Sequence, residues 1–103
     1  MSKAETICEA IATRSRLQIC YHDHYRVVEP NEYGSDDRGT PVLLAFQVEG
    51  GGGRDSRAGW RVLDLASMAR VTILPEHFRG PMPRSAQDEA RIGRSCLTLI
   101  AGL

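Results

Sequence analysis

The sequence predicts a mainly β domain: five short antiparallel strands forming a small barrel or sandwich, with a helix before them and a short helical tail behind. Three observations carry this. From Arg16 to Leu74, apolar residues recur at every second position in short runs. Clusters of Gly, Asn, Asp and Pro separate the runs, and such residues make reversals because Gly reaches positive φ cheaply while Asn and Asp bond their own backbone. Short strands spaced by such turns over about sixty residues are the pattern of small all-β domains.

Residues 2–13 come first. Ser2 followed by Glu5 forms a capping-box pair, and Ala4, Ile7, Ala10 and Ile11 fall on one helical face. Arg16 to Tyr21 then alternates, with Leu17, Ile19 and Tyr21 on one side, so a half-buried strand is expected. The break His22-Asp23-His24 leads into a second strand from Tyr25, ended by Pro30, and the two make a hairpin. The turn formers between Asn31 and Thr40 form a loop. The third strand, Val42 to Val48, is apolar on both faces apart from Gln47 and is therefore placed centrally. A buried Gln47 must have its amide satisfied, either as a structural hydrogen-bonder or as the floor of a polar pocket.

Gly50 to Gly59 is a long hairpin loop carrying Arg54 and Arg57, which either contact an anion or stand solvated, the commoner case for loop arginines. It has no Gly-Lys-Ser/Thr ending and leads into a strand, so it is not a phosphate-binding P-loop. Trp60 to Leu65 and Arg70 to Leu74 are the fourth and fifth strands, the latter ended by Pro75, and Phe78 is expected to plug one end of the barrel. After the break at Gly80-Pro81-Met82-Pro83, Ser85 caps a last helix whose first turn holds Asp88 and Glu89. Leu97, Ile100 and Leu103 follow at near-helical spacing. The organisation expected is a barrel domain with its N-terminal helix over residues 1–80 and a helical extension over 81–103, packed on the barrel or on a partner.

One domain of 103 residues, 42% apolar and 25% charged, holds a modest core without staples. Thirteen basic residues balance thirteen acidic ones, which excludes the broad positive field of a non-specific nucleic-acid binder but not a local basic patch. The three cysteines form no CxxC, and an odd count fits a reducing, cytoplasmic compartment. No apolar run approaches the ~20 residues of a membrane span, so no membrane partner is expected. Cys20, His22 and His24 would place three donors on one side of an extended strand. A structural zinc site needs a fourth, and His77 and Cys96 lack partners at ligand spacing, so neither metal nor cofactor is expected. No nucleophile motif and no spaced carboxylate pair points to catalysis, and a non-enzymatic role follows.

An ordered set of residues from 7 to 80 resembles the WYL domain, in particular its short stand-alone bacterial members. The set comprises Ala10-Ile11, Leu17, Ile19, Tyr21, Arg26 to Pro30, Tyr33-Gly34, Leu43, Ala45 to Val48, Trp60, Leu65 and Met68. The resemblance implies an Sm-like or SH3-like five-stranded barrel with a ligand-sensing or regulatory role. Larger members join this barrel to a DNA-binding helix-turn-helix and act in transcription regulation. It further implies binding of a small anionic ligand, a nucleotide or single-stranded nucleic acid through basic and aromatic residues, here Tyr21, Arg26, Tyr33, Gln47, Trp60 and Arg61. Val42-Leu43-Leu44 stands where the family has its Trp-Tyr-Leu triplet. Leu44 and Asp64 occupy positions where stand-alone relatives often carry Arg, and Asn31 one where they often carry His. Arg26, Arg61 and Arg70 remain as cations, and their convergence on one groove would favour binding. The alternative is a protein-interaction module that has lost its ligand and pairs with a second copy or a partner regulator through Leu97, Leu99, Ile100 and the N-terminal helix.

Overall fold

A computed structural model describes residues 2–52, 56–94 and 97–103. Arg54 and Cys96 lie outside the described residues. The order is helix α1 (Lys3–Thr13), β1 (Ser15–Tyr21), β2 (His24–Ser35), β3 (Pro41–Gly50), β4 (Gly59–Asp64), a 3-10 turn (Leu65–Ser67), β5 (Met68–His77), α2 (Ala86–Gly93) and β6 (Thr98–Gly102). The two capping boxes are formed: Ser2 with Glu5 opens α1, and Ser85 with Asp88 opens α2. His22 and Asp23 both take positive φ, 50° and 64°, as a two-residue type I′ hairpin turn requires.

The sheet is antiparallel, in the order β4-β3-β2-β1-β5, and β6 adds to β2. Six strands therefore replace the five expected. The sheet is open. Among the described residues no ladder joins β4 to β5, so the expected Sm-like or SH3-like barrel does not close through hydrogen bonds. A 3-10 turn lies between them, capped by Asp64, whose Oδ1 accepts from the Ala66 N–H at 3.1 Å. This turn carries the chain away from β4 to pair with β1 at the far edge of the sheet.

β2 is longer than expected. Pro30 does not end it, because the ladder with β3 has a register shift between Pro30 and Glu32 where the missing N–H is tolerated. One edge of β2 pairs with β1 through Val28, and beyond the bulge the same edge is taken by β6 from Glu32 to Ser35. Pro75 likewise lies inside β5, in the register shift of the β1 ladder between Leu17↔Ile73 and Ser15↔His77. The C-terminal tail is the plainest correction. Thr98–Gly102 forms a strand, not a helix, because the second half of β2 offers a row of backbone groups that an extended chain satisfies and a helix cannot.

The core lies on the inner face under α1. Leu17, Ile19, Val28, Leu43, Ala45, Leu63 and Met68 meet Ile7, Ala10 and Ile11 of the helix. Each fully buried Leu or Ile contributes about 1.5–3 kcal/mol relative to exposure. Lys3 Nζ fastens the helix by donating to Leu65 O and Met68 O, both at 2.9 Å. The opposite face of β3 and β4 is buried as well: Val42, Leu44 and Trp60 are nearly inaccessible, and the chain after β5 packs on Trp60. Phe78 is buried but stands apart from the main core, with its N–H on Arg14 O. No helix among the described residues is long and apolar enough to cross a membrane.

Candidate functional site

The ladders divide the sequence-predicted site residues into three groups. Ile19 stands opposite Arg26 and Val28 opposite Gln47, which puts both polar side chains on the inner face at one end of the sheet. There Arg26 Nη1 donates to Gln47 Oε1 at 3.0 Å, with both residues buried. The guanidinium lies 5.0 Å from the centre of the Tyr21 ring, and Gln47 Nε2 donates to Gly50 O at 3.1 Å. Tyr21 Oη accepts from the Asp64 N–H at 3.1 Å. These three residues form a cross-strand polar network spanning β1 to β4. Tyr33 belongs to a second group, the hydrophobic core, where it is 7% exposed.

Trp60 and Arg61 form the third group. They line a cleft of about 610 Å³ with Phe46, Arg57, Ala58, Gly59, Asp88 and Arg91. Phe46 stands opposite Trp60 in the ladder and meets it edge-on, ring centres 5.8 Å apart. Trp60 is 1% exposed, its Nε1–H donates to Pro83 O at 3.1 Å, and the Arg84 guanidinium lies 4.4 Å over its ring. Its face is thus taken by the chain itself. Arg61 folds back along the strand, donating to Trp60 O at 3.0 Å and Arg57 O at 2.7 Å. Among the described lining residues, three arginines stand against one aspartate. The Gly-rich loop offers Arg57 as an anion contact, whereas Arg91 stands in a tail helix with no local signal, and only the fold sets both in one cleft with Trp60.

Arg70 does not join this cluster. It stands opposite Cys20 on the outward face and reaches the exposed Tyr25 hydroxyl at 3.5 Å, whereas Arg26 points inward. Asp64 uses its carboxylate as the cap of the 3-10 turn.

A second cleft, about 500 Å³, is lined by Arg16, Glu29, His77, Phe78, Arg79 and Met82 among others. Arg16 holds the buried Glu29 carboxylate through Nε and Nη2 at 3.1 and 3.0 Å. His77 Nδ1 lies 3.0 Å from Thr13 O and 3.4 Å from Ser15 Oγ. Among the described residues no three His, Cys, Asp or Glu side chains come together to hold a metal.

At the cleft wall, the Asp88 carboxyl is held below the usual aspartate range, first by the Ser85 N–H, then by the Ser85 hydroxyl and Arg91. A depressed folded-state pKa means the cap of α2 is fully formed above the ordinary aspartate value and is lost as pH falls through the lowered one. Amide exchange in α2 is therefore expected to show no cap-dependent change from neutral pH down to the ordinary aspartate value, 3.8. Protection should fall only below it. Loss of protection already at pH 6 would remove Asp88 as the cap that matters.

Together, the fold and the cleft define a small, mainly β domain with an arginine-rich groove beside a buried tryptophan. Among solved structures, the fold matches part of Proteasome accessory factor B/C (PafBC) of Arthrobacter aurescens. The TM-score is 0.64 at 22% identity, over 85% of this chain and 14% of that one. The likeness is one of fold, and this chain corresponds to a small part of the longer protein. No family model matches the sequence, and no curated protein sequence does.

Proposed function

We propose that this chain is a non-enzymatic ligand-sensing or regulatory module whose cleft takes a phosphate-bearing anion: a nucleotide or the backbone of a single-stranded nucleic acid. The observation that carries this is the convergence of Arg57, Arg61 and Arg91 around one groove with Phe46 at its side. Guanidinium groups match phosphate geometry through paired N–H donors, and an aromatic edge favours a ligand with a base or ring attached. The resemblance to WYL domains and the fold shared with part of PafBC support a regulatory role. The site so proposed overlaps the sequence-implied set at Trp60 and Arg61 and leaves Tyr21, Arg26, Tyr33 and Gln47 to the architecture.

The test is fluorescence polarisation with short labelled single-stranded DNA and RNA, with nucleotides as competitors, at two salt concentrations. Micromolar binding that weakens with salt is expected, because phosphate contacts release counterions. Arg57→Glu and Arg61→Glu should each weaken it about tenfold or more and flatten the salt slope by about 0.7 per lost contact, with melting unchanged. Equal affinity in both variants would remove the cleft from the site. A flat response with every probe would favour the second reading, a protein-interaction module. That reading draws on β6, where Leu99 and Ile100 are 54% and 66% exposed.

A further inference from the structure

Helix α2 buries none of its residues. An eight-residue helix is marginal alone, so its place on the sheet depends on few contacts. The segment before it supplies them. Trp60 bonds Pro83, and Arg84 lies over the Trp60 ring while reaching Glu32 at 4.0 Å and Glu89 of α2 at 3.8 Å. Yet α2 provides one wall of the cleft, Asp88 and Arg91, while Arg57 and Arg61 stand on the other. The cleft is therefore complete only while α2 is docked.

We infer that docking of this arm, residues 83–94, is what the ligand of the cleft controls. A phosphate group bridging Arg91 to Arg57 and Arg61 touches both walls, so it binds the docked arm more tightly than the released one. Linkage then requires that it stabilise docking by the same factor. Asp88 does not cancel this, because its carboxylate is engaged by Ser85 and by one Arg91 Nη at 2.6 Å, and the Arg91 side chain is more than half exposed. Departure of the ligand loosens the arm and uncovers Trp60 beside Phe46 and Leu44, so occupancy of the cleft is converted into exposure of an apolar surface. The inference rests on the anion-binding reading above.

Trp60 is the sole tryptophan of the sequence and reports the arm directly. The experiment uses the full chain with adenosine triphosphate and, separately, a ten-nucleotide single strand, reading acrylamide quenching of Trp60 and amide exchange over 83–94. Saturating probe should slow exchange in the arm and reduce quenching by about fivefold or more, the lower end of usual coupling. Arg84→Ala should increase quenching without probe and weaken probe binding by the factor by which it loosens the arm. Arg84→Lys, which keeps the charge but not the planar stack, should fall between. Binding that leaves arm exchange and quenching unchanged would overturn this inference and leave the anion reading standing. Binding of neither probe would overturn both.

Discussion

Gly34→Ala is expected to unseat β6 and to destabilise the domain by about 1–3 kcal/mol, the usual cost of forcing a methylene into a packed site. Gly34 lies in the middle of a three-strand arrangement, opposite Val42 on β3 and Leu99 on β6. A Cβ at this position would stand 2.1 Å from Thr98 O and 2.9 Å from Thr98 C. Both are backbone atoms, so no rotamer change relieves the clash and β6 itself must move. Its departure also breaks the bond from the Leu103 N–H to Asn31 O at 3.0 Å and takes Ala101 off the core. Urea denaturation should show the loss, and amide exchange over 98–102 should rise far more than exchange in β3. A variant with wild-type midpoint and unchanged exchange in β6 would show that the strand does not depend on this close approach.

Gln47→Leu should cost about 1.5–3 kcal/mol, the worth of a hydrogen bond to a charged group. Leu replaces the amide at similar size, so packing changes little, but the buried Arg26 guanidinium loses an acceptor at 3.0 Å and Gly50 O loses its donor. Arg26→Met removes the charge and leaves Gln47 Oε1, a neutral carbonyl oxygen, without that bond, so it should cost less. Pairing the two changes should recover part of the loss, because breaking a buried polar pair from the charged side is the expensive way to break it. A double-mutant cycle in urea measures this. Additive costs, or a Gln47→Leu variant no less stable than Arg26→Met, would refute the network as a stabilising unit.

Tyr21, Arg26, Gln47, Trp60 and Arg61 attract notice as aromatic and polar residues in apolar strands, and each occupies a special place. Their roles differ because strand register decides which face each one shares. Register set Arg26 beside Gln47 and turned Arg70 outward to Tyr25. It placed Trp60 on the face covered by Pro83 and Arg84. No local pattern announces that Arg91 lines the same cleft as Arg57, since 34 positions separate them and only the fold brings α2 to that wall.

By itself the sequence determined the helix from its capping box and apolar stripe, β1 from its period-two alternation, and the interior place of β3 from its two apolar faces. These are short-range properties, and the hydrophobic pattern specifies them wherever one face is buried. Only the tertiary structure decided that Pro30 and Pro75 lie within strands, that the sheet stays open, and that Thr98–Gly102 is extended. In each case a ladder or its bulge, formed with residues far along the chain, outweighed the local signal. Backbone groups leaving water must find partners, and which partners remain is known only once the other strands are in place.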